Sequence, residues 1–292
     1  MKTGDTDTRE THAGGLRMLF PEPKQVPLAG QYLCEDLRSH IPHSGAFVYS
    51  NFITSLDGRI AVTRPETGRL GVPTQTANPR DWRLLLELAA PADAVVVSGR
   101  HVRELGEGTS QAWPPFSNDA PADLLAFRAR QALPPQPALI VVTRSLELPA
   151  RVLEQLAAAR RLIVATVDDA PRAGVDAAKA AGAEVLRLGG PSVDGRRLIS
   201  ALTAREIRLI YSTAGPEVLH LLLNSRMLQR LYLTTVTRIL GGEDYATLVL
   251  GERLAPPYDF RLSALYLDAQ GPDGVDQLMQ IYDRRDVAGS SQ

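Results

Sequence analysis

The chain has 292 residues, 44% of them hydrophobic and 22% charged, as expected of an ordinary globular protein with one large domain or two small ones. Its net charge of -1, from 32 basic and 33 acidic residues, argues against general affinity for nucleic acid or anionic membranes. A single cysteine, Cys34, excludes an internal disulfide framework and a Cys-based zinc site, and five scattered histidines without His-x-x-x-His spacing give no metal centre.

Met1–Gly15 is polar and lacks the apolar core of a secretory signal, and runs such as Leu84–Ala92 are too short to span a bilayer, so a cytoplasmic protein is expected. Residues 1–30 are rich in Thr, Gly, Asp and Pro and predict a flexible arm; residues 31–288 show no composition break and predict one domain. Gln31–His40 predicts a short helix before a first strand, Ala46–Ile53. Asn78-Pro79 is a good helix start, with Trp82, Leu85, Leu86 and Ala89 as the apolar face. Strand and helix patterns then alternate. Strands fall at Ala94–Val97, Ala138–Thr143, Arg161–Val167, Glu184–Leu188, Ile207–Ser212 and Arg230–Thr237. Helices fall at Ala150–Ala159, Asp176–Ala181, Leu198–Ala204 and Pro216–Ser225. Phe260–Leu267 and Gln277–Arg284 flank a Gly-Pro-Asp-Gly turn and predict a hairpin. The result is an α/β fold whose mostly parallel central sheet, flanked by helices, carries an antiparallel C-terminal hairpin at its edge. Arg64–Thr76 and Leu105–Pro121 have no regular pattern; the second reads as a substrate loop or, in its distal half, a surface insertion.

Chemistry-bearing residues recur where strands stop, which is where open α/β sheets bind ligands. After the first strand comes Ser55-Leu56-Asp57-Gly58; Ser55 and Asp57 fall on one side of an extended chain, and Gly58 permits a positive φ. Gly99-Arg100-His101 follows the second strand, offering a glycine for phosphate approach and a guanidinium beside it. Thr143-Arg144-Ser145 ends the third with a hydroxyl, guanidinium and hydroxyl suited to the 2′-phosphate of NADPH. Thr213-Ala214-Gly215-Pro216-Glu217-Val218 leads from a strand into a helix whose dipole faces the cleft, and Gly241-Gly242 closes another strand. Each motif taken alone reads equally well as turn or cap chemistry. Neither a Gly-x-Gly-x-x-Gly fingerprint nor a Gly-x-Ser-x-Gly elbow is present, which disfavours an ordinary Rossmann site and serine hydrolysis.

Together, Ser-Leu-Asp-Gly-Arg at 55–59, Asp-Ala-Val-Val-Val-Ser-Gly at 93–99, Ala-Gly-Pro at 214–216 and the stretch from Leu231 to Gly242 resemble the reductase domain of the bifunctional riboflavin-biosynthesis deaminase–reductase. The resemblance runs from Phe47 to Arg284 and implies a dihydrofolate-reductase-like fold, without the deaminase domain and its zinc motif. It implies NADPH as cofactor, with the nicotinamide near Ser55–Asp57. The phosphates would lie by Gly99-Arg100 and the helix start Gly215–Val218. The implied substrate is a ribosylaminopyrimidine phosphate, foremost 5-amino-6-(5-phosphoribosylamino)uracil, and a homodimer is expected. Asp57 is the candidate for positioning or proton relay. The family pattern has a Glu where this chain has Thr213, an Arg near Ala89, a Thr near His101 and a Pro near Arg238. Arg238 and Arg69 are therefore the candidates to replace the missing substrate grip. Two other readings stay open: a same-fold reductase of a dihydropterin, and a non-catalytic NADPH-binding protein. A pterin would require a buried carboxylate and a ribosyl phosphate an anion site.

Overall fold

The computed structural model describes residues 14–65, 67–110, 115–117 and 119–285. Strand β3 (Phe47–Ser55) runs through the middle of the sheet, and its aromatic and β-branched residues are covered on both faces. It pairs in parallel with β10 (Leu209–Ser212) on one side and β11 (Arg230–Val236) on the other. Beyond β10 the parallel order continues through β6 (Ala94–Ser98), β7 (Ala138–Val142), β8 (Leu162–Thr166) and β9 (Glu184–Arg187). Beyond β11 the pairing turns antiparallel, through β14 (Gln277–Arg284), β13 (Phe260–Asp268), β1 (Gly15–Phe20) and β2 (Lys24–Pro27). The fold is thus the expected α/β one, with its mostly parallel sheet and C-terminal hairpin.

Two expectations about the edge change. Gly15–Pro27, assigned to a loose arm, forms a hairpin in the sheet, because Leu16 and Met18 alternate inward and are buried. Strand β1 covers β13, so the C-terminal hairpin is interior and β2 is the edge on that side. Residues 1–13 lie outside the described residues. Gln31–His40 forms two short 3-10 turns, Leu33–Glu35 and Leu37–His40, instead of a helix.

Helix α1 (Pro79–Ala89) starts as its sequence predicts: the Asn78 side chain accepts from the backbone N–H groups of Arg80 and Asp81, with Pro79 in the first turn. Its buried face differs from the expected one. Leu86 and Ala89 are buried, but Trp82 is 42% exposed and Leu85 only half-buried, while Arg80, Asp81, Arg83 and Glu87 are buried. Polar partners make this tolerable. Arg80 donates twice to Asp268 on β13, at 2.7 and 2.9 Å. Glu87 accepts from Arg83 and from the backbone N–H of Gly30 and Tyr32. These bonds fasten α1 between the antiparallel wing and the N-terminal segment.

The remaining helices are α2 (Gly99–Gly106), α3 (Ala122–Arg130), α4 (Ala150–Ala159), α5 (Arg172–Ala180), α6 (Gly195–Thr203) and α7 (Pro216–Asn224). Arg64–Thr76 is not wholly irregular: β4 (Ala61–Arg64), β5 (Arg69–Gly71) and β12 (Tyr245–Ala246) form a small second sheet. The loop after α2 contains residues 111–114 and 118, including Trp113 and Pro114, outside the described residues. Among the described residues no helix is long and apolar enough to cross a membrane, and no cluster of three metal-binding side chains occurs.

Candidate active site

A cleft of about 1510 Å³ opens at the carboxyl ends of the parallel strands. It exceeds the roughly 300–1,000 Å³ of ordinary small-ligand pockets, which leaves room for a dinucleotide and a second molecule. Gly99, Arg100, His101, Thr143, Arg144, Ser145, Thr213, Gly215, Pro216, Glu217 and Val218, predicted from separate strand ends, all line it.

Two helices begin at this opening. Ser98 caps α2 by accepting from the His101 N–H, and Gly215-Pro216 starts α7 with no side-chain cap. Pro216 has no N–H and the Val218 N–H donates to the Gly215 carbonyl, so the Glu217 N–H is the donor of this turn without a partner among the described residues. No atom lies within 4 Å of where a Gly215 Cβ would stand, so the backbone there is open to a ligand. Gly99 has a different reason: a Cβ would come within 2.5 Å of the Thr143 hydroxyl, so this glycine lets β6 and β7 end side by side.

The charged groups divide into spent and unspent. Arg100 is paired with Glu104 at 2.7 Å and donates to the Leu70 carbonyl. Arg144 is exposed, and so is Arg196 in the first turn of α6; neither has an ion-pair partner among the described residues. Gly189-Gly190-Pro191-Ser192, before α6, adds a bare-backbone loop that sequence reasoning missed; its signal was a glycine pair directly after strand Glu184–Leu188. Arg64 and Arg103 also line the cleft, and Arg64 Nε and Arg103 Nη1 are buried without hydrogen-bond partners. Burial lowers the His101 imidazole below its usual range, and its Nε2 has no partner.

Six predicted residues are placed elsewhere: Arg238, Arg69, Gly241, Gly242, Ser55 and Asp57. Arg238 does not line the cleft; it donates to the Gln75 carbonyl and pairs with Asp273. Arg69 lies in a smaller hollow beside the cleft, held by Glu107. Gly241 and Gly242 turn with φ of 69° and 94° and are also off the cleft wall. Thr213 remains on the cleft, with its hydroxyl committed to the Val96 carbonyl at 3.2 Å.

Ser55 and Asp57 do come together, but as a fastener. The Ser55 hydroxyl donates to Asp57 at 2.5 Å, and the N–H groups of Gly241 and Leu240 donate to it at 2.9 and 3.2 Å. Arg59 pairs with it at 2.6 Å, reaches the Gly242 carbonyl, and sits 4.3 Å from the centre of the Tyr245 ring. Gly58 turns the chain with φ of +83°. The Ser55 hydrogen bond, followed by those from the Gly241 and Leu240 amides, holds the Asp57 carboxyl down at about 2. A carboxylate so acidic has no proton to give near neutral pH, and the arrangement locks the β3 turn to the glycine pair.

A buried carboxylate on this cleft is Asp81, which sequence reasoning did not single out. It lines the cleft, is 9% exposed, and burial pushes its carboxyl up to about 6 against a Thr234 hydroxyl bond that lowers it. Among the described residues no cation forms an ion pair with it.

Residues 46–270 match the family model described as the RibD C-terminal domain, and the chain belongs to that family. It is 26% identical over 200 residues to the 2,5-diamino-6-ribosylamino-4(3H)-pyrimidinone 5′-phosphate reductase of Aquifex aeolicus (strain VF5), spanning 68% of this chain and 80% of that protein. The fold is also that of a pyrimidine reductase-like protein from Corynebacterium diphtheriae, with a TM-score of 0.65, 20% identity, and coverage of 82% and 93% of the two chains. The riboflavin biosynthesis reductase of Saccharomyces cerevisiae aligns with a TM-score of 0.50 and 16% identity, over 88% of this chain and 99% of that one. By name the first is a pyrimidinone phosphate reductase, the second is pyrimidine reductase-like and the third is a riboflavin biosynthesis reductase.

Proposed function

We propose that this protein is an NADPH-dependent oxidoreductase that reduces the ribosyl carbon of a 5-phosphoribosylaminopyrimidine to the ribitylamino product. The leading substrate is 5-amino-6-(5-phosphoribosylamino)uracil or its 2-amino counterpart. The observation that carries this reading is the convergence of four strand ends, two helix N-termini and unpaired arginines on one cleft large enough for two molecules, in a chain of this family. The residues present suit NADPH. The N–H groups opening α2 and α7 would take its phosphates. Arg144, Ser145 and Arg196 would take the 2′-phosphate, which separates NADPH from NADH. NADPH supplies a hydride when bound. The chain supplies orientation and a dry wall: Ile53, Trp82 and Leu85 line the cleft beside Asp81.

Anion grip on the substrate falls to Arg64 and Arg103, whose buried unspent donors face the need that Arg69 and Arg238 do not meet. Asp57 shapes the turn and carries no proton. A homodimer working in the cytoplasm completes the proposal; with the C-terminal hairpin interior, pairing would use another surface, and light scattering would test the assembly.

Purified protein is to be mixed with NADPH and each ribosylaminopyrimidine phosphate while cofactor oxidation is followed by absorbance. Oxidation matched by ribitylamino product supports the proposal. Tight NADPH binding without turnover on either compound would replace it with the non-catalytic reading. A second reading, reduction of a dihydropterin, gains support from Asp81, the buried carboxylate that such a substrate requires.

A further inference from the structure

The small sheet of β4, β5 and β12 forms one wall of the cleft through Ala61, Arg64, Leu70, Gly71 and Ala246, with Ile60 at its root. Among the described residues its strands pair with one another and with no strand of the main sheet. No residue of these three strands is buried, so little apolar area holds the sheet in place. Two chain crossings join it to the main sheet: Gly58-Arg59 after β3, and Gly241 to Asp244 after β11. Gly58, Gly241 and Gly242 all have positive φ, and no atom lies within 4 Å of where their Cβ atoms would stand. The Leu240 and Gly241 amides donate to Asp57, and Arg59 lies over the Tyr245 ring, so the two crossings are tied to each other.

Away from this root, the sheet meets α2 and the turn after it through arginine side chains. Arg69 on β5 pairs with Glu107. Arg100 on α2 donates to the Leu70 carbonyl at 2.6 Å, and Arg64 on β4 donates to the Thr109 carbonyl at 3.2 Å. Beneath these contacts lies a hollow of about 330 Å³, lined by Arg69, Leu70, Arg100, Arg103, Glu104 and Glu107. Leu70 is the one apolar residue on that lining. A polar seam over a hollow parts more readily than interlocked apolar side chains do.

We infer that the β4–β5–β12 sheet is a flap over the cleft, hinged where Asp57 ties the two crossings and clasped to α2 by Arg69–Glu107 and the neighbouring arginine contacts. Opening the clasp admits and releases ligands; closing it brings Arg64 and Leu70 onto what is bound. The flap stands on the protein alone, whereas its effect on cofactor exchange rests on the proposed NADPH reading. Both side chains of the Arg69–Glu107 pair are about half exposed, so salt weakens the clasp.

Spin labels at Thr63→Cys on the flap and Arg151→Cys on α4, both exposed positions, give the ligand-free test in a background where the exposed Cys34 is replaced by Ser. One distance is expected at low salt. High salt, Glu107→Ala and Arg69→Ala should each add a second, longer distance. A single distance under all of these conditions overturns the inference. Stopped-flow mixing with NADPH reads the gate. Glu107→Ala should raise the association and dissociation rates together, by about two- to fivefold, as loss of one exposed ion pair allows, and leave Kd unchanged. Unchanged rates, or a faster dissociation alone with weaker binding, overturn the gating role, the second because the pair would then act on the bound cofactor. Absence of NADPH binding sinks the proposed function, and the distances then decide the flap by themselves.

Discussion

Asp57 and Asp81 stand at opposite extremes of how a protein treats a carboxylate. Asp57 sits in a motif visible in the sequence, collects a hydroxyl, two amides and a guanidinium, and is held at about 2. Asp81 sits in a helix with no motif, has a hydroxyl for company, and is pushed up to about 6. The first is consumed by the fold, and the second lies buried on the cleft wall with the Thr234 hydroxyl for a partner. A recognisable motif therefore marks where the backbone is fixed, and the chemistry of recognition falls to a group whose burial the fold alone does not reward.

The support beneath Asp81 gives the largest expected effect. Arg80→Ala removes the cation from Asp268, which is fully buried, and breaking such a pair costs about 3–5 kcal/mol. Chemical denaturation should show the loss, and intact stability would mean that α1 is not fastened by this pair.

Asp81→Asn should act in the opposite direction. A folded pKa of about 6, above the unfolded value of 3.8, means that folding favours the protonated form. The penalty is absent below pH 3.8, grows as pH rises toward 6, and is constant above, where it reaches up to about 3 kcal/mol. Asp81→Asn should therefore raise the melting temperature at neutral pH, with the gain shrinking toward pH 4. A destabilised variant at neutral pH would show that Asp81 has a structural partner.

On the cofactor side, Arg144→Ala with Arg196→Ala should weaken NADPH binding by roughly 10- to 100-fold, since charge-assisted hydrogen bonds contribute about 1.5–3 kcal/mol each before solvent screening. NADH affinity should stay unchanged; an equal loss for both nucleotides would move the 2′-phosphate elsewhere. The smallest effect is local. Asp57→Asn should speed amide hydrogen exchange at Leu240 and Gly241 while Asp81→Asn leaves it alone, and unchanged exchange would deny the fastening role.

Much of the fold was legible because buried parallel strands announce themselves: Ala94–Ser98 and Ala138–Val142 differ little from their predicted bounds. The β1 and β2 strands escaped because they are short and mixed with polar residues, and only pairing with β13 reveals them. On the cleft, residues such as Gly99, Thr143 and Gly215 could be read from the sequence because they follow recognisable parallel strands, whose carboxyl ends are where open α/β sheets bind ligands. Trp82 and Leu85 kept a helical apolar spacing and so looked like core, although they face the cleft. Arg103, Arg196 and Asp81 carried no local signal: each matters through what fails to pair with it, and that is settled by elements distant in sequence.

The most direct measurement is a carbon-detected NMR titration of the aspartate carboxyl groups, with Asp81→Asn and Asp57→Asn for assignment. One carboxyl should titrate near 6 and vanish with Asp81→Asn, and another should remain ionised down to about 2 and vanish with Asp57→Asn. An ordinary titration near 4 for Asp81 would show it solvated or paired, and would contradict its assignment as a buried carboxylate without a cation on this cleft.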